Sequence, residues 1–254
     1  TGLRRKRAAS ARKRTAPAVL TLALILATLL TTVATAQQLN TERKVALVIG
    51  NGAYASRNIT ALANPPRDAR AVARTLTDIG FDVTAVVDGS IAEMDDRADV
   101  ALFYYAGHGV QANGQNYLLP VDAEVEHVRR LRREAVTSQY VLELINDAAP
   151  RLSMVFLDAC RNNPFAEGAN RSIDRGLAPP ATRPSETMIV YATAAGDTAD
   201  DGEGTNSPFT TAFLKHIATS GLDVYDLYRN ISGEVQTITR GDQRPELFGN
   251  VTAR

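Results

Sequence analysis

Apolar residues in this chain fall into short unbroken runs, separated by stretches where they recur every three or four positions. KVALVIG, Lys44 to Gly50, is a run of the first kind, the form of a strand covered on both faces. In PPRDARAVARTLTDIG the period changes: Ala69, Val72, Ala73 and Leu76 share one helical face, Pro65 and Pro66 stand where a helix begins, and Gly80 where it stops. FDVTAVV returns to a strand, and strand, helix, strand is the unit of a parallel sheet. ADVALFYYAGHG, RLSMVFLDAC and ETMIVYATAAG predict a third, fourth and fifth strand. AVTSQYVLELINDAAP, SPFTTAFLKHIAT and DVYDLYRNISGEVQTIT predict helices. The pattern is that of an α/β domain over residues 37–254. No internal repeat is present, and residues 161–186, rich in Arg, Pro, Gly and Ser, predict a mobile surface loop.

The first 36 residues are patterned differently. Arg4, Arg5, Lys6, Arg7, Arg12, Lys13 and Arg14 form a basic head, AVLTLALILATLLTTV an apolar middle, and Ala34-Thr35-Ala36 a small-residue cleavage signature. This predicts a secretory signal peptide over residues 1–36 and an exported protein, periplasmic or extracellular. The alternative is an uncleaved membrane anchor, since Ala18 to Ala36 approaches the roughly 20 residues that span a bilayer. Without the leader, seven basic residues are lost and no acidic one, so 21 Lys and Arg face 28 Asp and Glu. A net charge of −7 argues against nucleic acid as a partner, and cleavage of the leader would leave no membrane segment.

Candidate chemistry sits at strand ends. In an open parallel sheet, ligands bind beyond the carboxyl ends of the strands, and His108 and Cys160 each close one of the apolar runs. Cys160 is the lone cysteine and can form no disulfide within the chain. A thiol attacks as thiolate, so a cysteine nucleophile needs an imidazole nearby. His108 suits that role, whereas His127 lies in a charged stretch and His216 near a helix end. Gly107 and Gly109 flank the imidazole; the Gly109 N–H, with that of Cys160, could line an oxyanion hole, although a tight turn would also call for glycine.

These stretches carry a resemblance. KVALVIGNGAY, ALFYYAGHGVQ, NYLLPVDA, VFLDACRNNPFA and TMIVYATAAGD with NSPFTTAFLKHI resemble the caspase-like cysteine peptidases, in particular the bacterial relatives of metacaspases and paracaspases. The resemblance implies a caspase-hemoglobinase three-layer αβα sandwich around a mostly parallel six-stranded sheet. It implies His108 as general base and Cys160 as nucleophile in peptide hydrolysis, with no cofactor required. Where caspases that cut after Asp have a neutral amide, this chain has Asp158 two residues before Cys160, on the same side of a strand. A carboxylate there would draw Arg or Lys in front of the scissile bond. Asp68 matches the family's pocket-lining aspartate and Asp197 stands in the loop that borders that pocket. Partners are therefore protein or peptide substrates with a basic residue before the cut, and Arg161, Arg171, Arg175 and Arg183 offer sites for self-cleavage. Ca²⁺ could bind the acidic GDTADDGEG, as in some relatives, but that stretch does not fit an EF-hand loop.

Two departures stand out. Only eleven residues, 88–98, link the second strand to the third where the family carries a helix, which predicts an under-covered sheet face. Arg67 replaces an asparagine beside Asp68 and could compete for that carboxylate. A non-catalytic interaction module on the same fold is thus the second reading. Nucleotide binding through GNGAY is weak, as it has neither a third glycine nor a lysine-serine pair, and three scattered histidines give no zinc spacing.

Overall fold

The computed structural model describes residues 42–89, 98–125, 128–160, 173–174, 177–180, 184–194, 197 and 199–252. Every strand expected from the apolar runs is present: β1 (Lys44–Gly50), β2 (Asp82–Val87), β3 (Val100–Ala112), β6 (Leu152–Cys160) and β8 (Thr187–Tyr191). Shorter strands intervene: β4 (Gln115–Leu118), β5 (Val136–Thr137), β7 (Ile173–Asp174) and the closing β9 (Glu246–Asn250). The main sheet runs β2-β1-β3-β6-β8-β9, parallel throughout except for the antiparallel edge strand β9. This is the six-stranded, mostly parallel sheet that the resemblance implies.

Helices cover it unequally. One face receives α1 (Pro65–Asp78), α4 (Pro208–His216) and α5 (Val224–Ile238), whose Ala69, Val72, Leu76, Phe209, Phe213, Leu227, Ile231 and Val235 pack on Ala46, Val48, Leu102, Tyr104 and Phe156. On the opposite face, among the described residues, α3 (Ser138–Asp147) sets Val141, Leu142 and Ile145 against Leu47, Phe103, Val155 and Leu157. The short α2 (Leu131–Glu134) belongs to a third cluster, in which Leu131 packs with Ile59, Val110, Tyr117 and Leu119.

The short crossover is sufficient. From the top of β2 to the foot of β3 is about 23 Å along the sheet and about 10 Å across two strand spacings, and eleven residues reach about 36 Å. Residues 90–97 lie outside the described residues, but β1 pairs in parallel with both β2 and β3.

Glycines let the site-bearing elements approach. A Cβ on Gly50 would lie 2.1 Å from the Pro65 carbonyl oxygen and one on Gly52 2.3 Å from that of Leu62. GNGAY therefore serves close packing of β1 on the start of α1. Between the glycines, Asn51 is buried and donates to the carbonyls of Gly89 and Leu119, each at 3.1 Å.

Candidate active site

β3 does not stop at His108, as the apolar run suggested; it continues to Ala112 and turns at Asn113-Gly114 into β4. Both turn residues have positive φ, 54° and 74°, the backbone of a two-residue hairpin. What ends before His108 is β1, whose last register partner is Ala106. Beyond it β4 takes over one edge of β3, while β6 lines the other and ends in register with it, Cys160 opposite His108. The two predicted catalytic residues thus occupy neighbouring backbone positions, one interstrand spacing of about 4.8 Å apart.

Gly109 lies inside the strand and not on a turn. The Leu119 N–H donates to the His108 carbonyl and the Leu152 N–H to that of Asp99, which sets the phase of both ladders: even residues of β3 turn their backbone groups toward β1 and β4, odd ones toward β6. The Gly109 N–H accordingly points toward the Cys160 end of β6. Glycine is needed at 109 because a Cβ would lie 2.9 Å from the Ala159 Cβ and 3.2 Å from Leu177 Cδ2. At Gly107 the cause is different: φ is +152°, and a Cβ would lie 2.7 Å from the Tyr105 hydroxyl.

His108 is 3% exposed. Its N–H donates to the Tyr54 hydroxyl at 2.7 Å, and the two rings stand 4.9 Å apart. Nε2 lies 2.7 Å from the Thr60 carbonyl oxygen. A carbonyl only accepts, so Nε2 carries the hydrogen and Nδ1 keeps its lone pair. That Nδ1 is buried and has no hydrogen-bond partner among the described residues. Burial lowers the pKa of the ring below its usual 6.5, opposed by the Thr60 bond and the negative charge of Asp201. The geometry is that of a neutral imidazole with a free basic nitrogen.

On the α4 side of the sheet, two carboxylates come together. Asp68, in the first turn of α1, is 1% exposed, and Asp158, two residues before the end of β6, is 5% exposed. Ser207, the N-cap of α4, bridges them: its N–H donates to Asp68 Oδ1 at 3.2 Å and its hydroxyl to Asp158 Oδ2. Asn206 Nδ2 donates to Asp68 Oδ1 at 2.6 Å, and Thr210 and Tyr104 offer hydroxyls to Asp158 Oδ2 at 3.1 and 3.4 Å. Asp68 Oδ2 has no hydrogen-bond partner among the described residues, and no ion pair among them includes either aspartate.

Burial, followed by the nearby Asp158 charge, pushes Asp68 up to about 8. Burial likewise pushes Asp158 up to about 6, restrained by the Ser207 and Thr210 hydroxyls. Arg67 does not compete for Asp68, contrary to expectation: it is exposed and its Nε donates to the Ala63 carbonyl at 3.0 Å.

Asp197 is exposed, with its N–H donating to the Ala194 carbonyl at 3.1 Å. The third acid whose charge reaches Asp68, Asp158 and His108 is Asp201, four residues on in the same acidic stretch. Among the described residues, no group of three or more His, Cys, Asp or Glu is placed to hold a metal ion. His216 is paired loosely with Glu234, Nε2 to Oε2 3.9 Å, away from this chemistry, and His127 lies outside the described residues.

Most of 161–186, with its four arginines, also lies outside the described residues. The described part is docked: β7 pairs with Gln111 and Ala112, and Asn116 binds both backbone groups of Ala178, at 2.7 and 2.8 Å.

A family model described as the caspase domain matches residues 43–254. The chain belongs to the caspase family. Curated relatives include the mucosa-associated lymphoid tissue lymphoma translocation protein 1 of Homo sapiens, 30% identical over 128 residues that cover 46% of this chain and 15% of that protein. A probable protease of a Desulfuromonadales bacterium is 25% identical over 68% of this chain and 22% of its own length. The chain thus spans less than a quarter of either relative.

Among solved structures, caspase-1 of Spodoptera frugiperda superposes with a TM-score of 0.59 at 16% identity, covering 83% of this chain and 88% of that one. A protein of Geobacter sulfurreducens gives 0.58 at 15% identity, covering 84% and 95%. At such identities these two likenesses establish the caspase fold. Peptidases of the caspase family act on protein substrates, and the α/β sandwich described above is the fold the family shares.

Thr60 and Tyr54 carry no side-chain signature that sequence reasoning could have used. Ser207 did carry one, since a serine before Pro208 marks a helix start, but its second role, joining two acids, exists only in three dimensions.

Proposed function

We propose that this chain is a cysteine endopeptidase that cuts after Arg or Lys, with His108 as base and Cys160 as nucleophile. The observation that carries the reading is the terminal register pair of β3 and β6, which brings position 160 beside an imidazole whose Nδ1 has no hydrogen-bond partner among the described residues. In the first step that Nδ1 takes the thiol proton while sulfur forms a bond to the scissile carbonyl carbon. The carbonyl π electrons move to oxygen, and the Gly109 and Cys160 N–H groups would face the oxyanion. Collapse expels the amine, which takes the proton back from His108 and leaves a thioester. Water, deprotonated by the same nitrogen, then releases the acid and frees the thiol. The Thr60 carbonyl stabilises the imidazolium formed on the way by accepting from Nε2.

Specificity for a basic side chain is supported by Asp68 and Asp158, buried together with one oxygen that has no hydrogen-bond partner among the described residues. The same proposal places the protein outside the cytoplasm after loss of residues 1–36, which N-terminal sequencing of the secreted chain would check.

A fluorogenic panel with Arg, Lys or Asp before the scissile bond, with and without Ca²⁺, tests the assignment. Iodoacetamide-sensitive cleavage after Arg or Lys, absent in Cys160→Ala, is the expected result. Preference for Asp would overturn the pocket, and activity equal to that of Cys160→Ala would leave the non-catalytic interaction module.

A further inference from the structure

The side chain of Asp201 joins two loops that are far apart in sequence. Its Oδ2 accepts from the Ala63 and Asn64 N–H groups at 3.3 and 3.4 Å, and its own carbonyl accepts from Asn64 Nδ2. One of the loops, residues 52–64, carries the Thr60 carbonyl that fixes Nε2 of His108. The other, residues 199–207, carries Asn206 and Ser207, which hold Asp68 and Asp158. Asn64 also opens α1, and its carbonyl accepts from the Asp68 N–H at 2.8 Å. Hydrogen bonds therefore connect the acidic pair to Asp201 and Asp201 to Ala63 and Asn64, and three residues of backbone carry the connection from Ala63 to the Thr60 carbonyl and the imidazole.

We propose that Asp201 is a positioning residue for His108: by clamping the 52–64 loop to the loop that walls the acidic pair, it sets the ring through Thr60 while lending its charge to the pocket. The kinetic consequence rests on the peptidase reading, but the orientation of the ring does not. The two contributions separate chemically. An amide at 201 keeps an oxygen that can accept from both N–H groups and loses the charge, whereas alanine loses both.

Asp201→Asn should therefore raise KM for an Arg peptide about tenfold and leave kcat within about threefold. Asp201→Ala should raise KM as much and also lower kcat tenfold or more. Asp201→Glu, which keeps the charge but moves the acceptor by a methylene, should share the kcat loss without the KM increase. Ring nitrogen NMR of His108 in Cys160→Ala protein provides a reading independent of turnover. The Nε2–H tautomer should persist with Asp201→Asn and give way to a mixture with Asp201→Ala, in protein shown by its melting curve to be folded. Equal kcat in the Asn and Ala variants, or a ring spectrum unchanged in Asp201→Ala, would overturn the proposal. Absence of turnover in the parent chain, together with the expected tautomer change in Asp201→Ala, would overturn the peptidase reading alone.

Discussion

Two carboxylates confined together out of water resist ionising until a cation joins them, and Asp68 and Asp158 meet that condition with hydroxyl and amide donors but no basic partner among the described residues. Removing Asp158 from a pair occupied by a guanidinium would leave a buried charge uncompensated, a loss of about 3–5 kcal/mol. The expected result for Asp158→Ala is a fall of about two to four decades in kcat/KM for an Arg peptide, far larger than the accompanying loss of stability in chemical denaturation. The pair also makes stability depend on pH in an unusual sense. Because burial raises Asp68 to about 8 in the folded state, the folded chain binds more protons than the unfolded one between about pH 4 and pH 8. The protonated carboxyl stabilises the fold fully below the unfolded value, and this contribution is lost as pH rises through about 8. Denaturant unfolding should show stability falling by up to about 1.4 kcal/mol per pH unit for each raised carboxyl, with Asp158 contributing only below about pH 6, and Asp68→Asn should flatten the slope between about pH 6 and pH 8. A slope that survives the substitution would place its origin in other groups. Asp68 and Asp158 could be singled out in the sequence because they fall in motifs that resemble those of the caspase-like peptidases, Asp158 two residues before Cys160. A backbone carbonyl such as that of Thr60 has no such mark, and Asp201 was one acid among several in an exposed stretch until folding selected it.

The joint between β3 and β6 is the element on which the proposed chemistry turns, and its tolerances are small. Gly109 faces the Ala159 Cβ at a distance that a methyl group would reduce to 2.9 Å, while the Leu177 contact at 3.2 Å involves the end of a flexible side chain that can swing away. Gly109→Ala should therefore cost about 1–3 kcal/mol by overpacking, and the Ala159→Gly substitution should return part of that loss. A double-mutant cycle in chemical denaturation measures the coupling; strict additivity of the two changes would show that the strand joint is not where the strain falls. The long strands and helices were legible because their hydrophobic period states their geometry. β9 was not: it is a half-exposed edge strand interrupted by Gly249, which a Cβ would bring within 2.1 Å of the Thr187 carbonyl oxygen. β4 carried an unused signal in Asn113-Gly114, whereas β5 and β7, two residues each, exist through pairing alone.

At the scale of the molecule, charge distribution is the property that bears on encounter with substrate. Residues 37–254 hold 21 basic and 28 acidic side chains, and the loop that leads to the buried pair exposes Asp197, Asp200 and Glu203. The pair itself is shielded by protein, so salt screens it weakly, while the exposed acids act through water and lose their reach as the Debye length shrinks from about 30 Å at 0.01 M to about 8 Å at 0.15 M. An acidic approach to a cation-binding pocket concentrates basic peptides at its mouth and speeds their association. Raising NaCl over that range should thus lower kcat/KM for an Arg peptide several-fold, chiefly through KM, with kcat nearly constant. Replacing Asp197, Asp200 and Glu203 by their amides should reduce kcat/KM at low salt toward the high-salt value of the parent and remove most of the dependence. Identical salt profiles for parent and triple variant would assign the attraction to the buried pair alone and leave the acidic loop without a part in capture.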